Sequence, residues 1–346
     1  MPLSVETLLE HDMLPDWLIR IGIRRLLRER LREEDAGDPA LQRERLLGFI
    51  DELRASPVAI ETKAANEQHY EVPAAFFVQC LGPRRKYSSA WWPDGVTTLA
   101  EAENAMLDLT CRRAQLQDGQ SILELGCGWG SLSLYMAVRF PHSQITAVSN
   151  SRSQRQFIDG ESKRLGLRNL EIITADMNRF NTECRFDRIV SVEMFEHMRN
   201  YQELMRRIAT WSNPGALLFV HIFTHSRFAY PFEDRGPGDW MARHFFTGGI
   251  MPSDDLLVHF QDDFAIREHW QEQGTHYQKT AEAWLAAMDA NRWAIMDILE
   301  RTYGAENALC WFVRWRVFFM ACAELWGYRN GSEWLVSHYL FERRGV

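Results

Sequence analysis

The sequence lacks paired cysteines, long apolar runs and an excess of positive charge. Its six cysteines include no C-x-x-C pair, which favours reduced thiols over a disulfide framework. No stretch approaches the roughly 18 consecutive apolar residues that suggest a membrane span. Lysine and arginine total 39 against 47 aspartates and glutamates, so nothing in the bulk charge favours nucleic acid. Residues 1–4 do not begin a basic region followed by an apolar one. We therefore expect a soluble cytoplasmic protein with no signal peptide and no stable membrane insertion.

Aromatic residues, by contrast, are plentiful. They make up 12% of the 346 residues, enough for a large core and an aromatic-lined pocket. The length allows one large domain or two small ones. No internal repeat or low-complexity segment divides the chain.

The N-terminal segment, up to about residue 65, is predicted to be a helical extension. Between residues 18 and 32 it carries six arginines and a single acid. Apolar residues at 23, 27 and 31 form one stripe of a helix, and arginines at 24, 28 and 32 form a second stripe beside it. Such a helix could lie on anionic lipid, or it could pack on the protein with its arginines solvated or salt-bridged. The acidic net charge favours the packed helix.

Residues 121–131 combine a short apolar strand, a carboxylate and alternating glycines. The pattern is E-x-G-x-G-x-G, formed by Glu124, Gly126, Gly128 and Gly130. Glycine lacks the Cβ that would block a sharp turn at a strand end or the close approach of a ligand. A dinucleotide fingerprint would instead read G-x-G-x-x-G, with an acidic residue about 20 positions later. The pattern resembles the first motif of class I S-adenosylmethionine-dependent methyltransferases, in which this loop passes under the methionine moiety. A purely structural turn from strand to helix is the alternative.

The central region alternates apolar strands with helices. Strands are predicted over 121–125, 144–149, 170–174, 186–192 and 216–223, and helices over 131–140, 153–165 and 201–211. Continuous apolar strands separated by helices indicate an α/β fold with a parallel sheet covered on both faces. Ligands of such sheets bind beyond the carboxyl ends of the strands. We therefore expect the site at the end of the first strand, in the glycine loop.

The next two strand ends offer polar contacts for a nucleoside. No carboxylate follows the second strand, but Asn150 and Gln154 could hydrogen-bond ribose hydroxyls instead. Asp176 and Met177, after the third strand, stand where an adenine is usually flanked. A helix or turn cap is the alternative role for Asp176.

The fourth strand ends in V-E-M-F-E-H-M, which brings Glu193, Glu196 and His197 to the same edge. Carboxylates and an imidazole are costly to bury without a task. We predict acid–base chemistry or substrate contact for them, because a carboxylate and an imidazole can each accept a proton. A structural pair and a metal site are the alternatives. We expect no metal, since no second E-x-x-E-H motif exists.

A set of ordered motifs makes the resemblance more specific. They are H-Y-E-V-P-x-x-F-F, K-Y-S, L-E-L-G-C-G-W-G-S, V-E-M-F-E-H-M, F-F-T-G-G-x-M-P, H-Y-x-x-T-x-x-x-W and W-R-V-F-F. Together they resemble the cyclopropane-fatty-acyl-phospholipid synthase superfamily, and within it the coclaurine N-methyltransferase branch, over roughly residues 15–343. The resemblance implies a class I, Rossmann-like methyltransferase domain over 66–346, with a seven-stranded, mostly parallel sheet and helices on both faces. It also implies a helical N-terminal extension over 1–65, a lid insertion about 225–263 and an aromatic helix over 306–326.

The resemblance also implies roles for matching residues. Those expected to contact S-adenosylmethionine are Tyr87, Ser88, Gly126, Gly128, Gln154, Asp176 and Met177. Glu196 and His197 would sit at the methyl-accepting atom. Tyr70, Trp315 and Phe318 would line the acceptor pocket. Aromatic faces and carboxylates suit both a sulfonium and a cationic amine.

One departure bears on the choice of branch. Similar cyclopropane synthases hold a bicarbonate base with a cysteine, a glutamate, a histidine, a backbone position and a tyrosine. Glu196, His221 and Tyr277 match that set, but Ser89 replaces the cysteine. The lid also lacks the proline that this branch more often has before its glycines. Both differences weaken the lipid branch without excluding it, because a serine can still hydrogen-bond an anion.

We therefore expect an S-adenosylmethionine-dependent enzyme that N-methylates a small aromatic or heterocyclic amine of the tetrahydroisoquinoline kind. The alternative is C-methylation or cyclopropanation of an unsaturated fatty acyl phospholipid or another alkene. A catalytically idle adenosylmethionine-binding protein is a third interpretation, which the Glu196–His197 pair argues against. The expected partner is a small-molecule amine or a lipid and not nucleic acid. Peripheral membrane contact and a homodimer are left open.

Overall fold

One seven-stranded sheet organises the computed structural model, which describes residues 5–60, 72–234, 236 and 238–345. The strands are β1 Ser121–Leu125, β2 Gln144–Ser149, β3 Leu170–Thr174, β4 Phe186–Val192, β5 Ser212–His225, β6 Tyr230–Pro231, β7 Ile250–Met251, β8 Phe264–Glu272 and β9 Trp334–Arg343. The sheet runs in the order β3-β2-β1-β4-β5-β9-β8, while β6 and β7 pair separately. The strands β3, β2, β1, β4 and β5 are parallel, and β9 runs antiparallel to both β5 and β8. The predicted seven-stranded, mostly parallel sheet is confirmed.

Twelve α-helices accompany the strands within the described ranges. They are α1 Val5–Glu10, α2 Asp16–Glu34, α3 Pro39–Ala55, α4 Ala74–Cys80, α5 Leu99–Arg113, α6 Ser131–Arg139, α7 Arg152–Leu165, α8 Tyr201–Thr210, α9 Trp240–His244, α10 Gly274–Ala290, α11 Arg292–Tyr303 and α12 Ala305–Gly327. None of them is both long and apolar enough to cross a bilayer.

The two faces of the sheet bury their side chains in different cores. Leu123 and Leu125 of β1 belong to a core that includes residues of α3 and α8. Ile122, which points to the other face, belongs to a core with residues of α5 and α6. A third, strongly aromatic core joins α4, α10 and α12. Burial on both faces explains why the parallel strands read as continuous apolar runs.

The helix α2 packs on the protein through its apolar stripe. Ile23, Leu27 and Leu31 are partly buried against the aromatic core. Two of its arginines, Arg20 and Arg24, form salt bridges with Glu324 of α12. The structure thus supports the packed helix over the interfacial one.

Two segments of the C-terminal half differ from what their sequence predicts. The stretch 280–303 predicts a single helix, but the structure has two helices there, α10 and α11, which meet at Asn291. The Asn291 side chain donates to the Gln79 carbonyl 2.9 Å away, a tertiary contact that ties the junction of the two helices to α4. The sequence of the stretch 225–263, where the resemblance implies a lid insertion, predicts an irregular segment, but the structure has β6, α9, β7 and a 3₁₀ turn at Leu256–His259 there.

Candidate active site

A cavity of about 250 Å³ opens at the carboxyl ends of the parallel strands, where the fold predicts a ligand. The predicted site residues that line it are Tyr87, Ser88, Glu124, Gly126, Gly128, Asn150, Gln154, Met177, Glu193, Glu196, His197, Tyr277 and Phe318. Gly130, Asp176, His221 and Trp315 are not among its lining residues. Tyr70 lies outside the described residues.

The three glycines of the loop after β1 have positive φ but different surroundings. A Cβ at Gly126 would lie 2.6 Å from the side chain of Met194, and one at Gly130 would lie 2.7 Å from Ile158. Both glycines are therefore required for packing. Gly128, with φ +51°, has no atom within 4 Å of an added Cβ and faces the cavity. Gly128 is thus where the backbone itself would meet a ligand.

Beside this loop lies a buried cation that the sequence analysis missed. The Lys86 ammonium donates to the Ser88 hydroxyl and is only 3% exposed. Burial lowers its pKa to about 8, although Glu193, Glu103 and Glu124 oppose that shift. The one sequence signal was its place directly before Tyr87 and Ser88, in the K-Y-S motif.

Glu124, at the end of β1, is also buried. Its carboxylate accepts a hydrogen bond from the Ser133 hydroxyl. Burial raises its pKa to about 7. The side chain therefore holds the first turn of α6 against the loop as well as lining the cavity.

The predicted nucleoside contacts divide into two kinds. Gln154 is 1% exposed, and its amide oxygen accepts from the Ser149 hydroxyl at 2.6 Å. Its amide nitrogen is buried without a hydrogen-bond partner in the described chain, which leaves a donor for a ligand. The Asp176 carboxylate accepts from the Asn178 backbone amide at 2.7 Å, which is a turn-capping contact, and its contact with the nucleoside stays a prediction.

The carboxylate of Glu193, directly after β4, is surrounded by three hydrogen-bonding groups. The backbone amide of Ser89 and the hydroxyl of Tyr277 donate to it at 2.8 and 2.7 Å. The Nε2 atom of His221 lies 3.2 Å from its Oε1 atom. Burial raises the pKa of Glu193 above its ordinary value, although the charge of Lys86 and the hydrogen bonds from Ser89 and Tyr277 oppose that shift. Its φ of +46° places the residue in the left-handed region, which is uncommon outside glycine and clusters at functional sites.

This arrangement corrects one sequence-based expectation. The resemblance grouped Glu196 with His221 and Tyr277 as a set around a bound anion. In the structure His221 and Tyr277 instead contact the carboxylate of Glu193. The reason is the left-handed turn at Glu193, which follows the strand immediately, whereas Glu196 comes later, on the 3₁₀ turn Phe195–His197.

The carboxyl group of Glu196 is buried and lacks hydrogen bonds among the described residues. It is fully buried yet lines the cavity, and neither of its oxygens has a hydrogen-bond partner among the described residues. Burial, and then the charge of Glu193, raise its pKa well above the ordinary value. The imidazole of the neighbouring His197 packs 4.7 Å from the ring of Phe246. The oxygens of Glu196 are therefore available to a cationic ligand, whose charge would favour the ionised, proton-accepting form of this side chain.

Three phenylalanines from two segments form an aromatic part of the cavity lining, called here the aromatic wall. The stretch between β5 and β8 contributes Phe232 and Phe246, and α12 contributes Phe318. Trp315 is fully buried behind them, with its ring 5.6 Å from that of Phe318. It therefore supports the wall and does not line it.

The chain matches a family described as mycolic acid cyclopropane synthetase over residues 59–331. It is 39% identical to (S)-coclaurine N-methyltransferase of Thalictrum flavum subsp. glaucum, over 97% of this chain and 94% of that one. It is similar to the crystal structure of coclaurine N-methyltransferase bound to N-methylheliamine and SAH, with a TM-score of 0.95 and 38% identity over 98% and 99% of the two chains. The chain is 29% identical to the cyclopropane-fatty-acyl-phospholipid synthase of Escherichia coli K12, over 63% of this chain and 54% of the synthase.

Proposed function

The chain belongs to the mycolic acid cyclopropane synthetase family, and from that premise we propose that it methylates the nitrogen of a benzylisoquinoline-type amine with S-adenosylmethionine. Its fold is that of class I methyltransferases, and its full-length relatives carry N-methyltransferase names. The observation that carries the proposal is that Glu193 and Glu196 both line the cavity. Two carboxylates match a cationic amine, whereas an alkene offers no charge to pair with them.

The residues present fit S-adenosylmethionine. The open space beside Gly128 accommodates a ligand in contact with the backbone, and the spare amide nitrogen of Gln154 offers a donor for the nucleoside. Asn150 and Met177 line the same cavity. The carboxylates nearby complement the positive sulfonium. When bound, this cofactor supplies an electrophilic methyl group for in-line displacement.

The protein must first deprotonate the acceptor. A free alkylamine has a pKa of about 10, similar to lysine, so at neutral pH it arrives as an ammonium that cannot attack. The unpaired carboxylate of Glu196 attracts that cation and takes one N–H proton, which leaves a lone pair on nitrogen. The raised pKa of Glu196 makes this transfer less uphill than it would be to an ordinary glutamate. His197, next in the chain, shares or orients the proton.

The rest of the site aligns the reactants. Holding the neutral nitrogen in line with the methyl group, with water excluded, is the main source of acceleration available here. The aromatic wall of Phe232, Phe246 and Phe318 suits the flat face of an isoquinoline ring and stabilises the cationic product by cation–π attraction. The ionised carboxylate of Glu193 then balances the new charge on nitrogen until release. The proton held by Glu196 leaves to solvent after the product.

Lipid methylation receives less support from this site. The groups that the resemblance assigned to a bound anion, His221 and Tyr277, are already engaged by Glu193. A bicarbonate base would have to displace that side chain. The similarity to the Escherichia coli synthase also covers only 63% of the chain.

A side-by-side assay tests the proposal. Purified protein and labelled S-adenosylmethionine are offered a tetrahydroisoquinoline amine in one reaction and unsaturated phospholipid vesicles in the other. We expect label on the amine nitrogen and none in the lipid. Label in the acyl chains, with increased incorporation on addition of bicarbonate, would contradict the proposal. A Gly128→Ala variant serves as the control for transfer that depends on the cofactor site.

A further inference from the structure

A line of hydrogen bonds runs from Glu193 away from the cavity and across three strands. His221 of β5 contacts Glu193, and its Nδ1 atom lies 2.8 Å from the Nε2 atom of His338, its register partner on β9. The Nδ1 atom of His338 lies 2.6 Å from a guanidinium nitrogen of Arg113. Both imidazoles are fully buried. Arg113 is held in place by Glu272 at 2.6 Å and by the ring of Trp270 at 4.8 Å.

The direction of each bond in this line follows from Arg113. A guanidinium only donates, so Nδ1 of His338 must accept and carry no proton. A neutral His338 then carries its proton on Nε2 and donates to Nδ1 of His221. A neutral His221 in turn carries its proton on Nε2, the atom that faces Glu193. Every hydrogen bond therefore points toward the carboxylate.

The same line cannot accept a second proton. A proton on Nδ1 of His221 would face the Nε2–H of His338, which cannot move to Nδ1 while Arg113 donates there. Burial, together with the charges of Lys86 and Arg113, also lowers the pKa of His221. The two histidines thus act as fixed donors and do not relay protons from the site to the surface.

We propose that Arg113 and His338 are positioning residues that lock His221 as a donor to Glu193 and so keep the negative charge on that carboxylate. The consequence falls on its neighbour, because an ionised Glu193 raises the proton affinity of Glu196. The line therefore directs the proton taken from the acceptor onto Glu196. This inference rests on the proposed function for its catalytic consequence, but the hydrogen-bond directions do not.

Other charged or titratable groups act on the same pair and must be held constant in any test. Those acting on Glu193 are Lys86, Tyr277, Glu196 and Cys322. Those acting on His338 besides His221 are Arg113, Lys86 and His269. Two variants of His338 leave all of these groups unchanged, so they differ only in what the side chain at position 338 can donate and accept.

The test compares two variants of one residue. Gln at position 338 can accept from Arg113 through its oxygen and donate to His221 through its nitrogen, whereas Phe can do neither. Loss of the donor line raises the pKa of Glu193, so in His338→Phe we expect the acid limb of kcat that reports protonation of Glu193 to move up by about one pH unit. We expect kcat at neutral pH to fall roughly 10- to 100-fold, the range for a lost hydrogen bond to a charged group. His338→Gln should keep the wild-type profile. A His338→Phe enzyme that loses only thermal stability, with an unshifted pH profile, would overturn the proposal.

A second measurement separates this inference from the proposed function. Nitrogen-15 NMR of the histidine-labelled, wild-type chain reports tautomers without any turnover, and the two variants assign the His338 signals. We expect Nε2–H forms for His221 and His338 between pH 6 and 8. An Nδ1–H form of either imidazole would refute the donor line even in an active enzyme. Should His338→Phe not fold, Arg113→Met tests the same line, because it removes the first donor and is expected to release the His338 tautomer.

Discussion

Two neighbouring glutamates show how strongly single-residue surroundings decide chemistry. Glu193 is held by a backbone amide, a tyrosine hydroxyl and an imidazole, whereas both oxygens of Glu196 lack partners among the described residues. Donors favour the ionised form of a carboxylate and desolvation favours the neutral form. We therefore propose two tasks for the pair: Glu193 holds a negative charge and Glu196 takes a proton.

The first prediction follows from that division at Glu196. Glu196→Gln keeps the shape but cannot accept a proton, so kcat should fall roughly 100- to 10,000-fold with little change in cofactor affinity. The loss should shrink as pH approaches the pKa of the amine, because solvent then supplies the neutral nucleophile. His197→Ala should have a milder effect. Wild-type turnover by Glu196→Gln at neutral pH would remove Glu196 from the mechanism.

The second prediction concerns stability at the same residue. The pKa of Glu196 is raised in the folded state, so ionisation favours the unfolded chain once pH exceeds the unfolded value, near 4.5. Glu196→Gln should therefore raise the melting temperature at pH 8 relative to wild type, with the difference vanishing below about pH 4.5. Thermal melts of both proteins from pH 4 to 8 check this. A difference in melting temperature that is constant across pH would show that burial does not raise the pKa of Glu196.

At the level of elements, the turn from β1 into α6 carries the cofactor prediction. Gly128 and Gly166 both have positive φ and open space around an added Cβ, but only Gly128 faces the cavity. Each change to Ala should cost about 1 kcal/mol of stability through left-handed strain. Only Gly128→Ala should also weaken S-adenosylmethionine binding in calorimetry. Equal affinities for the two folded variants would place the cofactor elsewhere.

The elements also show what the sequence could and could not foretell. The bounds of β1 to β4 were predicted residue for residue, because buried parallel strands are continuous apolar runs between helices. The break at Asn291 was missed, because it depends on a hydrogen bond to Gln79, far away in the chain. The partners of Glu193 were missed for the same reason: Ser89, His221 and Tyr277 come from three distant segments. Residue types at a strand end predict a site, but the directions of their side chains depend on tertiary structure.

For the molecule as a whole, the N-terminal helix links surface charge to the wall of the site. Arg20 and Arg24 of α2 pair with Glu324 on α12, the helix that also contributes Phe318 to the cavity. Arg25 pairs with Glu29 within α2. These pairs neutralise part of the arginine cluster, and the chain carries a net charge of −8. Trp17 and Ile21 nevertheless remain exposed on α2, at 64% and 50%, so the helix retains an apolar edge.

The fourth prediction weighs that edge against the charge. Stable attachment to a bilayer needs apolar burial together with attraction to anionic lipid, and here much of the basic charge is already paired within the protein. We therefore expect the protein not to sediment with phosphatidylglycerol vesicles at physiological salt, nor with neutral phosphatidylcholine vesicles. Sedimentation with the anionic vesicles that is lost on substitution of Arg24, Arg28 and Arg32 by Ala would contradict this. It would also favour a lipid acceptor, since α2 would then hold α12, which lines the site, close to the membrane surface.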